Sequence, residues 1–146
     1  MKIYIASDHA GYDLKETLKD YLGLLKYEVE DFGPFVFDAN DDYPDFMKLV
    51  AEAVSRNPMG SRGIVIGGSG QGEAIVCNRV KGVRAGVFYG GNIELVKLMR
   101  EHNDANVLSL GARFVEHEEA EKAVKIFLET KFTNEERHIR RIRKID

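Results

Sequence analysis

Sulfur chemistry is almost absent from this chain. One cysteine, Cys77, stands among 146 residues, which excludes an internal disulfide framework and fits a reducing compartment. Long apolar runs are missing as well, since none approaches the roughly 20 residues that a membrane helix needs. Residues 1–6 are interrupted too early to read as a signal peptide. Charge of one sign is also lacking. Twenty-one Lys and Arg against 24 Asp and Glu leave a formal net charge of −3, so no global field draws the chain to nucleic acid or to a membrane surface. The four histidines and single cysteine show no metal-ligand spacing, and no metal site is expected. Repeats, linkers and low-complexity segments are absent. The expectation is a soluble, cytoplasmic protein whose residues 1–146 form one domain.

What is present is concentrated in one stretch. Ile64-Val65-Ile66 runs into Gly67-Gly68-Ser69-Gly70-Gln71-Gly72-Glu73, and an apolar run from Ala74 follows. That order reads as buried strand, tight turn and helix. The glycines let the backbone approach a ligand closely. Free N–H groups of the turn and the helix start form a site for an anion or a developing oxyanion. Ser69 can donate to a substrate oxygen, and Glu73 sets a candidate base at the edge. Donors for negative charge beside a base suit proton abstraction next to a carbonyl. Two other loop chemistries lack parts. A Walker loop needs Lys-Ser/Thr where Glu73-Ala74 stands. A dinucleotide fingerprint needs Gly-x-Gly-x-x-Gly, whereas the spacing from Gly68 is Gly-x-Gly-x-Gly. A tight structural turn, in which Glu73 merely favours the helix start, is the plain alternative.

Along the chain, strands are expected at residues 2–7, 28–32, 62–66, 83–88 and 106–110. Helices are expected at 12–26, 43–56, from 74 onward, 92–101, 116–129 and 135–145. Leu14, Leu18, Tyr21, Leu22 and Leu25 carry the helical spacing of the first. Pro44 falls in the first turn of the second, where proline is tolerated. Thr133-Asn134 offers a cap for the last, basic helix. Residues 35–42 form a loop with acidic residues. Alternating strands and helices predict a three-layer α/β/α, Rossmann-like fold on a five-stranded parallel sheet.

In such folds ligands collect at the carboxyl ends of the strands. Asp8-His9 follows the first strand, the glycine loop the third, and Gly111-Ala112-Arg113 the fifth. His102-Asn103-Asp104 lies between a helix and the fifth strand. Histidine moves protons near neutral pH, and a neighbouring carboxylate orients its ring. For each histidine a surface or capping role is the bland reading, and His117 and His138 are expected to be structural or peripheral. Arg137, Arg140, Arg141 and Lys144 share one face of the last helix. With Arg113 they suit phosphate oxygens, or form a solvated basic face; the acidic balance and absence of interleaved aromatics argue against RNA. Cys77, one turn past Glu73 in an apolar run, is expected to be buried and structural.

Six blocks then occur in order: Ser7–Gly11, Asp42-Tyr43-Pro44, Gly67–Glu73, Glu101-His102-Asn103, Gly111-Ala112-Arg113 and Arg137-His138-x-x-Arg141. Together they resemble the type B ribose-5-phosphate isomerases and the related galactose-6-phosphate isomerase subunits over nearly the whole length. The resemblance implies an aldose–ketose isomerase that uses no metal and no organic cofactor. It implies that Glu73 shuttles a proton between C1 and C2 of the open-chain sugar, that Ser69 assists, and that the loop at Gly68, Gly70 and Gly72 holds the enediolate. It further implies that His102, helped by Asp8, opens the furanose ring and that Asn103 binds a substrate oxygen. His9, Arg113, Arg137 and Arg141 would clamp the phosphate, and Tyr43 would line the sugar pocket. The implied assembly is a homodimer with shared active sites, His102, Asn103 and Arg113 reaching across; a tetramer stays open. The implied substrate is ribose 5-phosphate, with allose or galactose 6-phosphate and a non-catalytic sugar-phosphate sensor as alternatives. One departure matters: some members carry a cysteine base where this chain has Gly67, and here the chemistry falls to Glu73. A helix start keeps that carboxylate ionised and burial raises its basicity; the sequence does not weigh the two.

Overall fold

In the computed structural model, which describes residues 1–145, side chains alternate across the strands; Asp146, the last residue of the expected domain, lies outside them. Strand β1 (Lys2–Ser7) sends Ile3 and Ile5 to one face and Ala6 to the other, the two-residue period of an extended chain. In β3 (Ser61–Gly67) Ile64 and Ile66 oppose Val65, and in β5 (Val107–Gly111) Leu108 and Leu110 oppose Val107. Both faces are apolar, as a parallel sheet covered on both sides requires. β2 (Glu28–Asp31) and β4 (Ala85–Phe88) are the edges of the order β2-β1-β3-β5-β4, and every pairing is parallel.

Helices α1 (Tyr12–Leu24), α4 (Glu94–Asn103) and α5 (His117–Glu129) cover the isoleucine face through Leu14, Leu18, Val96 and Phe127. Helices α2 (Tyr43–Arg56) and α3 (Gln71–Cys77) cover the other through Met47, Val50, Val54 and Cys77. The last helix, α6 (Glu136–Ile142), packs beside the end of α4. This is the expected three-layer arrangement on five parallel strands. Among the described residues no helix is long and apolar enough to cross a membrane.

Several boundaries move, and two moves matter for the site. The helix after the glycine loop starts at Gln71 rather than 74, because Gly70, at φ 77°, already turns the chain into it. The fourth helix runs to Asn103, so His102 and Asn103 are its last residues and not a loop; Asp104, at φ 44°, ends it. Thr133 and Asn134 do not cap α6. The Thr133 hydroxyl donates to the Glu101 carbonyl, the Asn134 amide to that of Phe132, and Glu135 takes the cap position. The last helix ends at Ile142, short of 145.

A fully buried lysine fixes the start of the acidic loop. Lys15 Nζ donates to both carboxylate oxygens of Asp31, at 3.0 and 2.8 Å, and to the Pro34 carbonyl at 2.8 Å. Removing one partner of such a buried pair costs about 3–5 kcal/mol.

Candidate active site

The chain leaves β1 toward β2 on one side and returns in β3 on the other, so the switch in strand order falls between β1 and β3. Ligand crevices open at that point in parallel sheets. Pairing continues past the strand ends. Asp8 N–H donates to Ile66 at 3.1 Å, Ala112 N–H to Gly67 at 2.8 Å and Arg113 N–H to Gly68 at 3.1 Å. These bonds bring Asp8, the glycine loop and Arg113 side by side. Ser109 holds the loop from beneath, its buried hydroxyl donating to the Gly70 carbonyl at 2.6 Å. The Tyr43 ring lies over Gly72, with Cζ 2.7 Å from where a Cβ would stand, and the Arg113 guanidinium lies over Gly68 at 3.3 Å by the same measure. Ser69 Oγ accepts the Gln71 amide at 3.3 Å, which leaves its own proton free to donate.

Glu73 is 4% exposed. Burial pushes its carboxyl above the ordinary glutamate range, and the nearby Asp8 carboxylate adds to this; the Glu73 and Gly70 amides offset part of the rise. Burial therefore outweighs the helix start, and the carboxylate is more basic than an exposed one, the direction that suits a general base. Its carboxyl lies directly above the Cα of Gly67, where an added Cβ would collide with Oε1. The space a cysteine at position 67 would fill is thus occupied by the Glu73 carboxyl. Gly67→Ala is expected to displace that carboxyl by about 1 Å and lower kcat by roughly a hundredfold. Steady-state kinetics beside a thermal melt measures it, and a Gly67→Ala enzyme at full rate would overturn the placement. Cys77 is buried as expected; its thiol donates to the Met47 carbonyl and burial pushes its pKa up to about 12.

Asp8 is 6% exposed and caps the short turn His9–Gly11, Oδ1 accepting the Gly11 amide at 3.1 Å. His9 Nδ1 lies 2.7 Å from Asp41 Oδ1. That hydrogen bond, aided by the Asp8 and Asp41 charges, raises the His9 pKa against the opposing effects of burial and Arg113. Asp8, His9 and Asp41 present donor atoms within 4.8 Å of one another. The 2.7 Å contact pairs the His9 ring directly with the Asp41 carboxylate.

The remaining candidates form a second group at the opposite end of the sheet. Arg84, just before β4, donates Nε to the Asn103 carbonyl at 3.0 Å, which sets the end of α4 beside the strand starts. The His102 ring stacks on His138 with centroids 4.4 Å apart and planes 14° apart. Arg137 and Arg141 flank His138 on α6, where Arg137 Nε pairs with Glu135 at 2.8 Å. One strand length, roughly 15 Å, separates this group from Glu73.

Residues 3–145 match the model of the family described as Ribose/Galactose Isomerase. The chain belongs to that family. The crystal structure of ribose-5-phosphate isomerase B from Mycoplasma genitalium with bound ribulose-5-phosphate is similar at 45% identity and a TM-score of 0.94, over 99% of this chain and 93% of that one. Ribose-5-phosphate isomerase B from Clostridium thermocellum is similar at 46% identity and a TM-score of 0.92, over 99% and 95%. The curated relative from Mycobacterium tuberculosis H37Rv, ribose-5-phosphate isomerase B, is 39% identical over 142 residues, 97% of this chain and 86% of its own length.

Within this Ribose/Galactose Isomerase chain, the structure gathers Asp8, His9, Tyr43, Gly68, Ser69, Gly70, Gly72, Glu73 and Arg113 at one crevice. It does not bring His102, Asn103, Arg137 or Arg141 to them. Arg113, expected to reach across to a partner, instead lies on its own Gly68 and acts on its own His9, because the β5 end pairs with the glycine loop. His138 is not peripheral. It is 4% exposed and stacked on His102; burial, with His102, Arg137 and Arg141 nearby, holds its pKa below the usual histidine value. Sequence reasoning also passed over Asp41 and Ser109. Asp41 stood only as one acid in the loop 35–42. Ser109 stood as a polar residue inside an apolar strand, where a buried hydroxyl must find a partner.

Proposed function

We propose that the chain, as one sugar-phosphate isomerase domain, interconverts D-ribose 5-phosphate and D-ribulose 5-phosphate through an enediolate, with Glu73 as base. The observation that carries this is the buried Glu73 carboxyl, raised in pKa and set within a loop of backbone donors. The relative from Mycoplasma genitalium, crystallised with ribulose-5-phosphate, shares the scaffold. His102, aided by Asp8, moves the protons of furanose opening. Glu73 takes the proton from C2 of the aldose, the electron pair moves onto O1, and the loop amides and the Ser69 hydroxyl meet the charge. Glu73 returns its proton to C1 as the hydroxyl proton passes from O2 to O1. His9, Arg113, Arg137 and Arg141 anchor the phosphate, Asn103 binds a sugar oxygen, and Tyr43 walls the pocket. Remote anchoring holds the reacting carbons against the base.

The two groups of residues lie at opposite ends of the sheet, which supports a second copy supplying His102, Asn103, Arg137 and Arg141. The working enzyme is then a homodimer with two shared sites. The substrate is tested by kcat/KM for ribose 5-phosphate, allose 6-phosphate and galactose 6-phosphate without added metal. Ribose 5-phosphate is expected to lead by roughly tenfold or more. A six-carbon sugar matching or exceeding it would overturn the five-carbon assignment, and no turnover of any would overturn the isomerase reading.

A further inference from the structure

The loop 35–42 is pinned at both ends. At its start Lys15 holds the Pro34 carbonyl, and the Tyr12 hydroxyl donates to the Phe35 carbonyl at 3.4 Å. At its far end a single carboxylate oxygen makes two bonds to one residue. Asp41 Oδ1 accepts the His9 backbone N–H at 3.0 Å and faces His9 Nδ1 at 2.7 Å. An acceptor shared by the main chain and the ring of the same residue is satisfied in one ring orientation only. The Phe37 ring meets the His9 ring edge-on, with centroids 6.5 Å apart.

We propose that Asp41 is a positioning residue for substrate binding, fixing the His9 ring so that Nε2 presents a proton to the phosphoryl oxygens of the sugar phosphate. This rests on the isomerase reading above. The Asp41 side chain is 7% exposed and its Oδ2 is buried without a hydrogen-bond partner. A carboxylate in that setting needs a compensating charge, and the His9 imidazolium supplies it. The chemistry of phosphate gives the pairing its purpose. A neutral ring that donates Nδ1–H to Asp41 offers a lone pair at Nε2, which repels an anion. The imidazolium offers N–H at both nitrogens. Among the groups acting on the ring, Asp8 and Asp41 favour the charged form and Arg113 opposes it. Removing the Asp41 charge tips that balance, and phosphate loses a donor as well as a charge.

The sign follows from the raised His9 pKa. The His9 contribution to phosphate affinity holds below that raised value and falls as pH rises through it. Without the Asp41 charge the fall comes at lower pH.

The experiment compares Asp41→Asn and Asp41→Ala with the wild-type full chain. It measures ribose 5-phosphate kinetics across pH, competitive inhibition by inorganic phosphate, and NMR titration of the His9 imidazole. Asp41→Asn keeps an oxygen acceptor and loses the charge. It is expected to raise KM and the phosphate inhibition constant by about tenfold near pH 7.5, to leave kcat within about twofold, and to move the His9 midpoint to lower pH. Asp41→Ala is expected to show the same binding loss and a lower Tm, as the loop loses its far anchor. An Asn variant with wild-type KM, inhibition constant and His9 titration would overturn the proposal even if it melted lower, for Asp41 would then be only a loop staple. A fall in kcat at unchanged KM would also overturn it. A wild type that turns over no ribose 5-phosphate would sink the isomerase reading instead. In that case the His9 titration and phosphate binding of wild type against Asp41→Asn still decide the role of Asp41.

Discussion

Glu73→Gln is expected to lower kcat/KM for ribose 5-phosphate by roughly a thousandfold or more while sugar-phosphate binding survives. The amide keeps the shape of the side chain and cannot take a proton. The wild-type rate carries a second sign of the same group. Burial holds the Glu73 carboxyl above the ordinary glutamate value, so activity on the acid side should begin to fail at a higher pH than an exposed glutamate would give. Stability follows in the opposite sense. A carboxyl whose folded pKa exceeds its unfolded value, about 4.3, stabilises the fold fully below that value. The contribution is lost as pH rises through the folded pKa, where the ionised group is held away from water. Wild-type Tm is therefore expected to drop across that window, and the Gln variant lacks the drop. Calorimetry from pH 4 to about 8 reads it beside the kinetics. A Gln variant near the wild-type rate would remove Glu73 as base, and matching Tm profiles would remove burial as the cause of its basicity.

Two inactive variants are expected to repair each other. His102→Asn should lose about a hundredfold or more in turnover through the ring-opening step, and Glu73→Gln is expected to fail for a different reason. His102 stands at the end of α4 beside the strand starts, whereas Glu73 stands beyond the strand ends. If each site takes Glu73 from one copy and His102 from the other, a mixed dimer holds one site with both lesions and one with neither. Equal amounts refolded together should then recover about a quarter of wild-type activity. Sedimentation of the wild type at micromolar concentration should show a dimer. A mixture that stays inactive would mean the site is complete within one chain, and His102→Asn at full rate would take His102 out of the site altogether.

How far the sequence speaks depends on whether a contact is local. The glycine loop, Asp8-His9 and Arg113 were readable because each follows a strand, and parallel strands end on one edge. The register Ser7↔Ile66 and Gly67↔Gly111 does the rest. Asp41 was invisible because its partner lies 32 residues away across an irregular loop, where no period constrains the side chains. The stack of His138 on His102 was hidden for a similar reason: it depends on how α6 folds back over α4. The competition at Glu73 between helix start and burial needed the packed structure, since burial is set by neighbours such as Gly67 and Asp8. The helix expected at 92–101 runs on through His102 and Asn103 because the left-handed turn that ends it falls at Asp104.

The sealed position of Cys77 has a consequence for survival under oxidants. Only a thiolate reacts readily with peroxides or alkylating agents, and a thiol held near pKa 12 in the core offers almost none. Where the relatives with a cysteine base carry sulfur, this chain has Gly67 with a carboxyl folded over it. A carboxylate climbs no oxidation ladder. With Glu73 as the proposed base, proton transfer is insulated from the redox state of its surroundings and needs no reductant to keep that base in working form.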